Sequence, residues 1–150
     1  MSAIARLVDR IEDEFDSQFP GASEAEVKAF RGVFAQVFGI PAPEAYVDLL
    51  RRSNGIDVNG LVVYGTSDLN GEVFRYGLAE SNQRLLQGVH VVESSLRFVG
   101  EQDDQLLAYD TADGRWKLVD RYSWEPDDDV EDVYPTFEAL VVERVEEALE

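Results

Sequence analysis

The chain has no cysteine, one histidine and no long apolar segment among its 150 residues. Without cysteine there can be no disulfide, no thiolate zinc site and no cysteine nucleophile, which is compatible with a reducing compartment. No apolar run approaches the roughly 18 residues that a membrane-spanning helix needs. Residues 1–15 alternate charged with apolar side chains, unlike the apolar core of a signal peptide. We therefore expect a cytoplasmic protein that does not enter a membrane.

Motifs for catalysis are also missing. The single histidine, His90, lies in an apolar run, where a lone histidine is more often a hydrogen-bonded structural residue or an exposed strand position than a catalyst. A catalytic base needs an orienting partner and a reacting group nearby, so we predict that His90 has no catalytic role. No phosphate-binding glycine loop, dinucleotide fingerprint or nucleophile elbow is present. The carboxylates of residues 127–132 lack the glycine and spacing of a calcium-binding loop. We predict no enzyme, no cofactor and no metal site, and an enzyme that uses paired carboxylates is the weakest of three hypotheses.

Basic residues are scarce, and the acidic ones are unevenly distributed. The chain holds 13 Lys and Arg against 31 Asp and Glu, for a net charge of -18. Residues 101–150 hold 17 acidic and 4 basic side chains, whereas residues 1–100 hold 14 and 9. Such a field repels nucleic acid and anionic membranes and attracts a basic protein. The alternative is a solvated acidic surface that serves only solubility.

The length suits one domain spanning residues 1–150. Apolar residues at helical spacing, with Ser2, Ser23 and Thr136 as N-caps and Gly39 as a stop, predict five helices. These helices cover residues 4–15, 24–38, 43–52, 79–86 and 137–148. The Ser23 cap includes Glu26 in a capping box.

Between the helices, shorter apolar runs predict strands over residues 61–64, 89–92, 96–99, 105–109 and 115–119. Asp113-Gly114 is typical of a hairpin turn of the primed types, and Asn54-Gly55 predicts a turn in which both residues tolerate positive φ. Helices followed by antiparallel strands and a closing helix indicate an α+β domain.

Four segments resemble the SUKH superfamily, in particular its YrhA-type branch, in the expected order over about residues 24–149. They are residues 38–55 (a proline, then Tyr46 and Leu49-Leu50, then Ser53-Asn54-Gly55), residues 59–65, residues 106–110 with Tyr109-Asp110, and residues 134–140 with Phe137-Glu138 and Leu140. The resemblance implies an α+β domain with a mixed or curved sheet flanked by helices. It also implies an immunity protein that neutralises a co-encoded bacterial toxin, commonly a nuclease.

An acidic protein can occupy the basic groove of a nuclease in place of nucleic acid. On an extended segment, alternate acidic residues would lie on one face about 6.6 Å apart, and aromatic residues beside them would supply anchoring area. The first-choice partner-binding residues are Tyr122, Trp124, Asp127, Asp128, Asp129, Glu131 and Asp132, and the second choice is Glu101, Asp103 and Asp104. The alternative function is a regulatory scaffold that binds an endogenous protein, with the acidic face as solubiliser.

Overall fold

The computed structural model describes residues 2–15, 19–69, 75–87, 94–123 and 133–150. Over these residues the chain forms five helices: α1 (Ala3–Phe15), α2 (Glu24–Phe38), α3 (Glu44–Arg52), α4 (Leu78–Leu85) and α5 (Phe137–Ala148). The strands are β1 (Ile56–Val58), β2 (Leu61–Val63), β3 (Leu96–Gln102), β4 (Gln105–Asp110), β5 (Arg115–Asp120) and β6 (Val133–Tyr134). They form one sheet in sequential order, and each strand is antiparallel to its neighbours. The predicted α+β single domain, with helices at both ends of the chain, is confirmed.

The predicted helix ends are set by local hydrogen bonds. Ser2 Oγ accepts the Ala5 N–H, and Ser23 and Glu26 form the reciprocal capping box at the start of α2. Gly39 ends α2 in the left-handed conformation with φ of 75°. These caps satisfy backbone groups that the helix cannot pair internally, which is why the sequence signals located these three helix ends correctly. Helix α4 has no side-chain cap and begins and ends one residue before the predicted range.

The hairpin turns differ from the prediction. The turn of primed type lies between β1 and β2, where Asn59 and Gly60 both have positive φ (48° and 88°). The prediction of a primed turn at Asp113-Gly114 is wrong, because a four-residue loop joins Asp110 to Arg115 and only its Gly114 has positive φ. Strand β1 was not predicted. The predicted strand over residues 89–92 and His90 within it lie outside the described residues.

Asn54 also departs from the expectation, since its φ is not positive and Gly55 alone makes the left-handed turn, with φ of 105°. Asn54 is instead held by its side chain. Its Oδ1 accepts the Thr66 N–H at 2.8 Å, and its Nδ2 donates to Thr66 Oγ1 at 2.9 Å. The amide therefore fastens the end of α3 to the chain that follows β2.

An aromatic cluster forms the centre of the core, where α5 meets α3 and the sheet. Tyr46 and Phe137, both predicted to be buried, stack with their ring centroids 4.4 Å apart. The Trp116 ring, from β5, makes an edge-on contact with Phe137, with the ring centroids 5.6 Å apart and the ring planes at 72°. Offset and edge-on aromatic contacts of this kind add to the free energy of burial. In the described part of the chain, no helix is long and apolar enough to cross a bilayer.

Candidate partner-binding surface

Acidic side chains from two strand connections meet at one end of the sheet. Sequential antiparallel order places the β1–β2 turn, the β3–β4 turn and the end of β5 on the same side. Backbone hydrogen bonds join them: Asp103 N–H donates to Gly60 O at 3.2 Å, and Arg121 N–H donates to Asp104 O at 2.8 Å. We call this region the acidic sheet end and define it by Glu101, Asp103, Asp104, Asp120 and Tyr122. The structure thus brings together all three second-choice acids and one first-choice residue.

Tyr122 projects from this end with 80% of its surface exposed. The turn that carries it is fixed by Asp120, whose Oδ1 accepts the N–H groups of both Tyr122 and Ser123 at 2.9 Å. These backbone hydrogen bonds, from Ser123 and then Tyr122, lower the pKa of Asp120 below its ordinary value. The carboxylate therefore stays charged at neutral pH and keeps the turn in place. The result is an exposed aromatic ring on a well-defined backbone.

Asp103 and Asp104 occupy the tip of the β3–β4 hairpin and are both exposed. Asp103 has positive φ (51°), a conformation that Asp tolerates better than most residues. Neither carboxylate forms an ion pair with another described residue. Both charges are consequently free to meet a cation from outside the molecule.

Glu101 differs from its two neighbours because both of its carboxylate oxygens are already used. Oε2 accepts the Tyr64 hydroxyl at 2.9 Å, and Oε1 lies 3.2 Å from Arg121 Nη2. Burial, followed by the negative charge of Glu101, raises the pKa of Tyr64 well above its ordinary value. Glu101 is therefore part of an internal network and not a free surface acid.

Ion pairs also engage three of the four basic side chains in the last third of the sequence. Lys117 Nζ lies 2.8 Å from Asp110 and 2.7 Å from Asp113. Arg144 pairs with the neighbouring acids of α5, and Arg121 pairs with Glu101. Among the described residues, local pairing thus leaves the carboxylates of Asp103 and Asp104 at the hairpin tip without an ion-pair partner.

Most first-choice residues lie outside the described residues, so their role stays a prediction. They are Trp124, Asp127, Asp128, Asp129, Glu131 and Asp132. The chain enters this stretch after Ser123, at the acidic sheet end, and returns at Val133, which pairs with Lys117. The stretch therefore starts beside the acids that the structure does place.

Sequence reasoning missed Asp120, Arg121 and Tyr64. Asp120 has a recognisable signal, because an Asp two positions before an exposed turn residue is typical of an Asx turn. Arg121 and Tyr64 have none, since they meet through Glu101, which is 37 residues away from Tyr64. Only the sheet order brings the three together.

No group of three or more His, Asp or Glu side chains in the described ranges is placed to hold a metal ion. A cleft of about 320 Å³ lies between α1 and α3, lined by Ser2, Ala5, Asp48, Arg51 and Arg52. Arg51 is paired with Glu24, and Arg52 with Asp9, so both guanidinium groups are already engaged.

No protein-family model and no curated protein matches the chain.

Proposed function

We propose that this protein is a non-catalytic immunity protein that acts in the cytoplasm, where it binds and blocks a basic bacterial toxin of the nuclease type. The observation that carries the proposal is the exposed Tyr122 on a fixed turn, beside the exposed carboxylates of Asp103 and Asp104, which form no ion pair within the described part of the chain. The resemblance of residues 38–55 and 134–140 to the SUKH superfamily supports the same class of function. No cofactor or metal takes part.

In this proposal the acidic side chains and the aromatic ring of Tyr122 contribute to binding in different ways. Asp103 and Asp104, together with the acids of residues 125–132, attract a basic surface and speed the encounter. Tyr122 then loses its solvent exposure against the partner, as aromatic anchors do at interface hot spots. An arginine of the partner can also lie over the Tyr122 ring in a cation–π contact.

Occupying the groove of a nuclease is sufficient to neutralise it. A groove that binds phosphates is lined with basic side chains, and a competing acidic surface fills the same positions without offering a bond to cleave. The same charge disfavours nucleic acid as a partner for this chain, because affinity for nucleic acid depends on neutralising phosphates with basic residues.

The second candidate is a regulatory scaffold that binds an endogenous protein. One observation favours it: several acids serve the fold, since Glu101 binds Tyr64, Asp110 binds Lys117, and Asp120 holds its own turn. Under this reading the remaining acids keep the protein soluble. The presence of a toxin-like reading frame beside the gene separates the two candidates.

The proposal is tested by growth protection in bacteria that express the toxin encoded next to this gene. The test variant is Asp103→Asn/Asp104→Asn/Tyr122→Ala, in which Asn keeps the side-chain shape and tolerates positive φ at position 103. The matched control is Glu12→Gln/Asp13→Asn/Phe15→Ala, which removes two charges and one exposed aromatic ring from α1.

We expect the wild-type chain and the α1 control to protect and the test variant to lose protection at equal protein level. Equal protection by the test variant would move the interface away from the acidic sheet end. If the wild-type chain fails to protect against the adjacent toxin, the immunity function itself is wrong.

A further inference from the structure

Glu101 was predicted to contact a partner, but unlike Asp103 and Asp104 its carboxylate contacts other side chains of the same molecule. Glu101 is only about a quarter exposed, and its two oxygens face two different side chains, the Tyr64 hydroxyl and the Arg121 guanidinium. Each oxygen of an ionised carboxylate can accept about two hydrogen bonds, so these two contacts use part of its capacity and hold the carboxylate between two side chains of the same molecule. The charge of Glu101 therefore already acts within the molecule.

The Tyr64 side of this network is anchored in the core. Tyr64 is fully buried, its N–H donates to Val99 O at 2.9 Å, and its carbonyl accepts the Tyr46 hydroxyl at 2.7 Å. Tyr46 in turn stacks on Phe137. The hydroxyl that Glu101 accepts therefore has a fixed position.

The Arg121 side leads to the surface. Arg121 follows β5 directly and precedes Tyr122, and its N–H is bound by Asp104 O at 2.8 Å. Its side chain is held by Glu101 at 3.2 Å. The backbone of Arg121 is thus held by Asp104 at the hairpin tip, and its side chain is held by Glu101, which also binds the buried Tyr64.

We propose that Glu101 is a positioning residue of the acidic sheet end: it fastens Arg121 to the buried Tyr64 and so fixes the turn that presents Tyr122. This inference rests on the proposed function, because Tyr122 matters only if a partner binds there. Glu101 also occupies the guanidinium of Arg121, which would otherwise compete with a basic partner for the neighbouring carboxylates.

The decisive variant is Tyr64→Phe, which removes one hydroxyl and leaves the net charge unchanged. The first measurement is amide hydrogen exchange of the full chain at residues 121–123, with β4 amides such as that of Leu107 as the reference for global opening. The second is binding of a fluorescent octa-arginine peptide at 0.01 M salt. Glu101→Gln is the second variant, and Asp103→Asn/Asp104→Asn is the comparator that changes charge only.

We expect Tyr64→Phe and Glu101→Gln to speed exchange at residues 121–123 about tenfold relative to β4, as loss of one charge-assisted hydrogen bond predicts. Tyr64→Phe should also weaken peptide binding at unchanged charge. The Asp103/Asp104 comparator should weaken peptide binding without changing exchange.

Unchanged exchange at residues 121–123 in both Tyr64→Phe and Glu101→Gln would overturn the inference. If Glu101→Gln then weakened peptide binding as much as Asp103→Asn/Asp104→Asn does, Glu101 would be a residue that contacts the partner directly. Exchange that rises equally in β4 and at residues 121–123 would also overturn it, because the network would then support the whole fold. If the comparator binds the peptide as tightly as the wild type, the proposed function fails, whereas the exchange result still decides the role of Glu101.

Discussion

Replacing Phe137 by alanine tests how the closing helix is attached to the domain. Phe137 is 1% exposed and contacts two other aromatic rings: it stacks on Tyr46 with the centroids 4.4 Å apart and makes an edge-on contact with Trp116 with the centroids 5.6 Å apart. Substitutions of buried Phe by Ala cost about 3–5 kcal/mol, and each aromatic pair adds about 0.5–1.5 kcal/mol beyond burial. Because Phe137 has two such ring partners, we expect Phe137→Ala to fall at the upper end of the range for buried Phe and to lower the free energy of unfolding by about 4–5 kcal/mol.

Urea unfolding followed by circular dichroism measures this change, with the slope m checked for constancy. At about 2–4 °C per kcal/mol for a chain of this size, the same variant should lower Tm by roughly 8–20 °C. Phe15→Ala is the control, because Phe15 is 40% exposed at the end of α1 and should cost less than about 1 kcal/mol. A loss below about 1 kcal/mol for Phe137→Ala would show that α5 is not packed on the core as described.

Three further predictions concern stability and the histidine. Asn54→Ala should cost about 1–3 kcal/mol because it leaves the Thr66 N–H without its acceptor; an unchanged urea midpoint would contradict the role of the amide. Burial raises the pKa of Tyr46 well above its ordinary value, and burial together with Glu101 does the same for Tyr64. Just above pH 10, these two tyrosines can then ionise only in the unfolded chain. The free energy of unfolding should therefore fall by about 1.4 kcal/mol for each tyrosine per unit rise in pH; equal urea midpoints at pH 9 and pH 11 would refute this. His90→Gln should leave growth protection intact, and loss of protection with an unchanged melting curve would assign the histidine a function.

Helices were the part of the fold that the sequence predicted best, because their ends depend on local chemistry. The Ser23–Glu26 capping box and the left-handed Gly39 act within a few residues of the helix they bound. Strand β1 was missed because three residues with the pattern apolar, polar, apolar are too short to give a clear period. Asn54 was placed in the right turn for the wrong reason, since its partner Thr66 lies twelve residues further on.

For the acidic sheet end, too, the sequence indicated which single residues are acidic and exposed, but it did not indicate which residues lie next to one another. The acids at positions 103 and 104 were predicted from composition, and the structure leaves both exposed. Their nearness to Tyr122 follows from the pairing of β4 with β5, which no short sequence pattern contains. Glu101 was predicted as a contact acid, but its partners Tyr64 and Arg121 come from distant parts of the chain, and so the sequence could not distinguish it from the other two.

The most direct test of the account is the kinetics of association between this protein and the basic toxin that we propose as its partner, measured at 0.01 M and 0.15 M salt. The Debye length falls from about 30 Å to about 8 Å between these conditions. We predict that Asp103→Asn/Asp104→Asn slows association, most strongly at 0.01 M salt, and that Tyr122→Ala mainly speeds dissociation. A second charge variant replaces Asp127, Asp128 and Asp129 by Asn and Glu131 by Gln. It should slow association in the same way. Wild-type rates for all three variants at both salt concentrations would contradict the account and leave the acids as a solvated surface.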